Sequence, residues 1–99
     1  MIRHQRSYPK QLQIGENHWD IIFCRLIPGE GQNILGLTDP SEHKIYIKMG
    51  QTPEERFKTL IHEIGHALCF EYKIKENHKT IHQIEEPILR LLIDNGIVL

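Results

Sequence analysis

Two histidines, His62 and His66, and the glutamate Glu63 form a His-Glu-x-x-His motif. Residues four apart lie one turn apart on the same face of an α-helix, so both imidazoles can bind a single metal ion. Neutral imidazole is a preferred ligand of Zn²⁺. Glu63 lies about 100° around the helix from His62, where it can reach a water at an open coordination position without being a ligand. The motif therefore predicts metal-dependent hydrolysis.

The chain contains seven histidines in 99 residues, so a chance pairing of two surface histidines is the alternative explanation of the motif. Against this alternative, the motif lies in an apolar run with helical periodicity, and the small residue Gly65 separates the two histidines. The predicted helix covers residues 53–72. Its apolar stripe comprises Phe57, Leu60, Ile61, Ile64, Leu68 and Tyr72, with His62, His66 and Cys69 on the opposite side. The stripe is expected to pack on a sheet while the imidazoles face a cleft.

The start of this helix is marked by its own signals. Thr52 is a predicted N-cap, Pro53 occupies the first helical position, and Glu55 completes a capping box. Such a box satisfies two backbone N–H groups that the first turn otherwise leaves without partners. The sequence therefore indicates a helix that begins at residue 53.

Alternating and β-branched segments predict short strands upstream of the motif, and a second helix follows it. We expect strands at 10–14, 18–27, 34–38 and 43–48, the first two forming a hairpin, and a helix at 80–94 that Pro87 kinks. The predicted core stripe of that helix is Ile81, Ile84, Ile88, Leu91 and Leu92. The order favours an α+β fold, in which a small antiparallel or mixed sheet of three to four strands packs on the motif helix.

Size and composition limit the possible functions. Ninety-nine residues are expected to form one domain, 1–99, with residues 1–7 flexible. The net charge is -1 and the sequence pI about 6.6, so general nucleic-acid binding by charge is not indicated. No membrane-spanning segment or signal peptide is visible, which by default suggests a cytoplasmic location. Two cysteines do not make a disulfide framework.

A catalytic zinc ion normally takes three protein ligands and a water, so the two histidines need a third partner. The second helix offers four candidates: His78, His82, Glu85 and Glu86. The first three are spaced four and three apart and share one face, which adjoins the apolar stripe that docks this helix. Each of them is also an ordinary residue of a solvated helix surface, so spacing alone leaves the choice open.

From residue 35 to residue 95 the chain resembles the small zincin-like metallopeptidases of phages and bacteria, which are minimal gluzincin-type domains similar to the ImmA/IrrE and SprT-like groups. The matching stretches are Gly36–Asp39, Lys44–Ile47, Thr59–Ala67, Ile81–Glu85 and Leu91–Asn95. The resemblance implies a mixed sheet, an active-site helix, and a following helix that supplies the third ligand. His82 occupies the position at which the similar phage proteins carry glutamate. Histidine is also a competent zinc ligand, and the third ligand of the SprT-like proteins looks to be a histidine. The implied site is one Zn²⁺ on His62, His66 and His82, with Glu85 as the alternative third ligand.

The main functional hypothesis is a zinc-dependent metallopeptidase of a bacterial or phage-infected cell, with Glu63 as general base and a peptide or protein as substrate. An exposed strand, at 34–38 or 43–48, would pair with the extended substrate. The alternative is a non-catalytic, zinc-stabilised protein-binding or regulatory module of a phage or mobile element. Glu63 favours chemistry, because a purely structural zinc site has no use for it.

The motif makes a direct prediction about metal content. The purified protein should carry about one zinc ion per chain, and replacing both His62 and His66 by alanine should abolish binding because two of three ligands are lost. Elemental analysis after gel filtration measures this. Stoichiometric zinc in the double variant would contradict the assignment of the motif.

Overall fold

The computed structural model describes residues 10–29 and 34–94, so the expectation for residues 1–7 lies outside the described part of the chain. That part contains four strands followed by two helices. They are β1 (Gln11–Ile14), β2 (Asn17–Cys24), β3 (Gly36–Asp39), β4 (Lys44–Lys48), α1 (Pro53–Glu71) and α2 (His78–Asp94). The predicted α+β class is confirmed, and most element boundaries agree with the predicted ones within two residues.

The four strands form one mixed sheet in the order β1-β2-β4-β3. β1 and β2 are an antiparallel hairpin, as predicted, β2 pairs with β4 in parallel, and β4 pairs with β3 antiparallel. β4 is therefore paired on both sides and has no free edge for another strand. Of the two segments expected to accept a substrate strand, only β3 lies at an edge of the described sheet.

The core lies between this sheet and one side of α1. Alternate residues of β2 and β4 point toward the helix, and three of them, Trp19, Ile45 and Ile47, are fully buried. Leu60 and Ala67 of α1 meet them in the same cluster. Burying one large apolar side chain contributes about 1.5–3 kcal/mol, so this contact contributes much of the stabilisation.

One expectation for the sides of α1 is wrong. Tyr72 is 59% exposed, because it follows the last helical residue and caps the helix instead of continuing its stripe. Cys69 lies on the side of His62 and His66, as expected, and its side chain is buried there. Burial extends to that side because α1 is covered by more than one neighbour, since α2, β3 and β4 all contact it.

The predicted start of α1 is confirmed. Thr52 Oγ1 accepts a hydrogen bond from the backbone N–H of Glu55 at 3.1 Å, and the Glu55 carboxylate accepts one from the Thr52 N–H at 3.0 Å. Pro53 occupies the first helical position. A cap of this kind contributes about 1 kcal/mol to helix stability.

The other end of α1 is fixed to the hairpin through Glu71. Its carboxylate accepts a hydrogen bond from the Trp19 indole N–H at 2.8 Å and two from the side-chain amide of Asn17. The Asn17 amide, followed by the indole, lowers the pKa of Glu71 below its ordinary value, and His43 adds to the effect. The buried indole N–H is satisfied in this way, and the C-terminal end of the helix is fixed to the hairpin.

α2 packs against α1 at a glycine. Ile81 is fully buried, as predicted, and the Cδ1 atoms of Ile81 and Ile84 lie 3.5 Å from where a Cβ on Gly65 would be. At that distance a Cβ on residue 65 would make ordinary van der Waals contact, so the packing of the two helices does not require glycine here. α2 continues through Pro87, and the kink stays a prediction. The side chains of residues 91–94 lie outside the described part. No helix in that part is long and apolar enough to cross a membrane.

β3 also approaches α1 at a glycine. A Cβ on Gly36 would lie 2.7 Å from Thr59 Cγ2 and 2.9 Å from Glu63 Oε2. Both distances are shorter than van der Waals contact, so an added methyl group would push the strand away from the helix. The strand and the motif helix can be in contact here because residue 36 has no side chain.

We therefore expect Gly36→Ala and Gly65→Ala to change stability in opposite directions. Gly36→Ala should lower the free energy of unfolding by about 1–3 kcal/mol through overpacking. Gly65→Ala is the matched control: its Cβ would make ordinary contacts, and alanine is favoured over glycine in a helix by up to about 1 kcal/mol. Urea unfolding measures both. A Gly36→Ala protein as stable as the parent would contradict the close approach.

Candidate active site

A cleft of about 620 Å³ lies between β3 and the polar side of α1. The motif residues project into it from α1, and residues of β3, the turn after it and the connection between the helices complete the walls. The lining residues are Gly36, Leu37, Thr38, Pro40, His62, Glu63, His66, Cys69, Phe70, Ile74 and Glu76. A second hollow of about 410 Å³ adjoins the same motif on the side of Leu35 and Thr59. The structure thus places the predicted catalytic residues in a groove beside the edge strand.

The two motif imidazoles face each other. His62 Nε2 and His66 Nε2 are 3.2 Å apart, and both side chains are about a quarter exposed. Two nitrogens bound tetrahedrally to one zinc at about 2.0–2.1 Å are separated by about 3.3 Å. The observed separation therefore fits a metal ion held between the two Nε2 atoms.

The other nitrogen of each imidazole meets a carboxylate. His62 Nδ1 contacts Glu85 Oε2 of α2, and His66 Nδ1 lies 2.8 Å from Glu76 Oε1 in the segment between the helices. A carboxylate at Nδ1 fixes the ring orientation and favours the tautomer that leaves Nε2 free for a metal. Glu76 carried no sequence signal for this role, because it belongs to a polar connection ten residues after His66.

Glu63 is buried between α1 and β3, and only 7% of its surface is exposed. Thr38 Oγ1 lies 2.7 Å from its Oε1 and 3.0 Å from its backbone carbonyl oxygen, so the hydroxyl can donate to either. Burial raises the pKa of Glu63, while the hydrogen bond from Thr38 and the two imidazoles oppose that rise. A raised pKa makes the carboxylate a better proton acceptor near neutral pH.

Thr38 and Gly36 are site residues that the sequence reasoning did not single out. They are two apart on β3, so both face α1. Their contact with Glu63 joins positions about 25 residues apart in the chain, and nothing in the composition of β3 indicates it. The available signal was the Gly-x-Thr alternation itself, which places a small and a hydroxyl residue on the same face.

The candidate third ligands are positioned differently. Glu85 is 27% exposed on its side chain and contacts His62, whereas His82 is 65% exposed and its ring centroid lies 6.0 Å from that of His62. His82 Nδ1 also lies 3.3 Å from Glu85 Oε1. His78 stacks on His82 at 6.5 Å, and Glu86 is exposed. Across residues 10–29 and 34–94, no three His, Cys, Asp or Glu side chains are arranged to hold a metal ion.

The position of Glu85 also determines its ionisation. Burial acts to raise its pKa, but the hydrogen bonds from His62 and His82 outweigh burial and lower the pKa overall. Glu85 is therefore a carboxylate that meets His62 at Nδ1, on the far side of the ring from Nε2. This contact is that of an outer partner of His62, and it leaves the choice of the third ligand between His82 and Glu85 open.

A mixed sheet packed on a helix whose His-Glu-x-x-His motif faces a cleft beside the edge strand defines a zincin-type peptidase domain. The family model described as the IrrE N-terminal-like domain, Peptidase_M78, matches residues 22–93, and the chain belongs to this family. Comparisons with curated proteins and with solved structures gave no significant match. The resemblance to ImmA/IrrE-like peptidases is thereby confirmed, and the family indicates a metallopeptidase-type function on peptides or proteins.

The two candidate ligands of α2 can be separated by zinc affinity. We expect His82→Ala to weaken zinc binding more than about 100-fold, because loss of a ligand exceeds the cost of losing an outer partner. Glu85→Ala removes the partner of His62 Nδ1 and should cost about 10–100-fold, and Glu86→Ala, a neighbouring exposed carboxylate, should cost nothing. Competition with a chelating indicator measures all three. A larger loss in Glu85→Ala than in His82→Ala would assign the third ligand to Glu85.

Proposed function

We propose that this chain is a zinc-dependent metallopeptidase that binds one zinc ion through His62, His66 and His82, with Glu85 as the alternative third ligand. The observation that carries the proposal is the 3.2 Å separation of the two Nε2 atoms beside a buried glutamate in a cleft. When bound, zinc supplies a Lewis acid that polarises the scissile carbonyl and activates water at neutral pH. Family membership supports the peptidase part of this proposal.

Glu63 is the proposed general base. Its carboxylate takes a proton from the attacking water as the new C–O bond forms, and gives that proton to the amine as the C–N bond breaks. Two features support this role: burial raises the pKa of the carboxyl group, and Thr38 holds Oε1 at 2.7 Å. The second carboxylate oxygen is then available for the proton transfers.

β3 is the proposed binding edge for the substrate backbone. The N–H of Lys48 donates to the carbonyl of Leu35 at 2.9 Å, so in this antiparallel pair Leu35 and every second residue after it bond to β4. The backbone groups of Gly36 and Thr38 therefore point away from β4. An extended peptide can hydrogen-bond to them as an added strand, directly in front of Glu63.

The test of the proposal is the variant Glu63→Gln. It should keep the fold and zinc but lose peptide hydrolysis by about 100-fold or more, because an amide cannot accept the proton. Glu54→Gln is the matched control, since Glu54 is an exposed glutamate in the first turn of the same helix. Cleavage of a peptide library of mixed sequence by the zinc-loaded proteins, read by mass spectrometry, measures the difference.

Two results would overturn this proposal in different ways. If Glu63→Gln cleaves as fast as the parent, Glu63 is not the base. If the zinc-loaded parent cleaves no peptide or protein, the chain is instead a zinc-stabilised binding module.

A further inference from the structure

Two large apolar side chains stand half exposed at one end of the cleft. Phe70 is 49% exposed and Ile74 is 51% exposed, and both line the same groove as Glu63 and His66. Pro40 forms part of the same wall. Exposed apolar groups gathered in a concave site next to polar reactive groups are typical of a surface that binds a ligand.

The Phe70 ring and the backbone at Ile74 are both held by the fold. The Phe70 ring makes edge-to-face contacts with Trp19 and His43, at centroid distances of 6.1 Å and 6.3 Å. The N–H of Ile74 donates to the carbonyl of Cys69 at 2.9 Å, which ties the chain after α1 back onto the helix. Groups that are already held in place lose little conformational entropy when a ligand covers them, so this wall is suited to binding.

The direction of β3 decides which part of a substrate meets this wall. Gly36 lies against Thr59 and Glu63, and Thr38 lies against Glu63, so β3 and α1 advance in the same direction. Phe70 follows Glu63 on the helix, and Pro40 follows Thr38 on the strand. The apolar wall therefore lies beyond the C-terminal end of β3.

Antiparallel pairing is the more stable of the two strand geometries, so we expect a strand added to β3 to run from Pro40 toward Gly36. Its residues before the scissile bond then lie at the Phe70 end of the cleft, and those after the bond lie at the Leu35 end. We propose that the wall formed by Phe70, Ile74 and Pro40 is a subsite for a large apolar side chain on the N-terminal side of the scissile bond. This inference rests on the proposed peptidase function.

The substrate class follows from the two recognition elements together. Pairing with β3 requires a peptide backbone that is extended and free of its own secondary structure. The subsite requires an exposed leucine, isoleucine, phenylalanine or methionine just before the cleaved bond. The substrate is thus an unfolded or locally unfolded protein segment that carries an apolar residue at that point.

Cleavage of the mixed peptide library by the zinc-loaded protein tests the inference. Large apolar residues should be enriched on the N-terminal side of the cleaved bonds. Ile74→Asp and Phe70→Asp should each reduce cleavage after apolar residues by about 10-fold or more, with a relative gain for lysine and arginine. Tyr72→Asp is the matched control, since Tyr72 lies between them, is exposed, and is not part of the cleft wall.

A binding measurement tests the subsite without catalysis. In metal-free protein, a short peptide that ends in leucine should shift the Ile74 methyl resonances in NMR spectra, and the same peptide ending in serine should shift them at least about 10-fold less at equal concentration. Equal shifts would overturn the subsite.

The outcomes separate the two proposals. Three results would overturn the subsite and leave the peptidase function intact. The library could be cleaved without enrichment of apolar residues, or with enrichment only after the cleaved bond. The cleavage profile could also be the same in both aspartate variants as in the parent. Absence of any cleavage by the zinc-loaded parent would overturn the peptidase function, and the subsite with it.

Discussion

Helix α1 has to satisfy two requirements at once: it is covered on more than one side, and it must still present three polar side chains to a cleft. The sheet covers one side, α2 covers another, and β3 closes over Glu63. The close approach of β3 occurs at Gly36, which has no side chain. α2 packs against α1 near Gly65, and from there Glu85 reaches His62. The geometry of the site thus depends on how tightly this one helix is packed.

Burial of Glu63 is the most costly electrostatic feature of the arrangement. A carboxylate removed from water is unfavourable unless donors or opposite charges compensate. Here the Thr38 hydroxyl and the neighbouring imidazoles compensate only in part, so the pKa of Glu63 stays above its ordinary value. A raised pKa strengthens the carboxylate as a proton acceptor, which suits the role of base that we propose for Glu63.

The imidazole pair is oriented by carboxylates that come from later parts of the chain. Glu76 reaches His66 from the connection after α1, and Glu85 reaches His62 from α2. The two Nε2 atoms are left facing one another, and the surrounding carboxylates make the site electrostatically complementary to a divalent cation. The imidazole pair is therefore preorganised by the protein itself, which lowers the cost of bringing these two groups to a metal ion.

The local features of this protein could be predicted from its sequence alone. The capping box at Thr52, the two helices, the hairpin and the side of α1 that carries His62 and His66 all follow from interactions between near neighbours, so periodicity and capping rules predict them. The family resemblance likewise depended on one short, specific motif, and the family match confirmed it.

Three other features depend on tertiary packing. They are the strand that lies at the edge of the sheet, the residues that hold Glu63, and the group of α2 that meets the imidazoles. Because β2 pairs with β4 in parallel, β4 lies inside the sheet and β3 lies at its edge. The sequence predicted both β3 and β4 as strands and did not tell which of them is the edge. The contacts of Thr38 with Glu63 and of Glu85 with His62 span about 25 residues of sequence. Spacing rules describe one element at a time, whereas these contacts depend on how separate elements pack, and packing is set by shape and burial across the whole core.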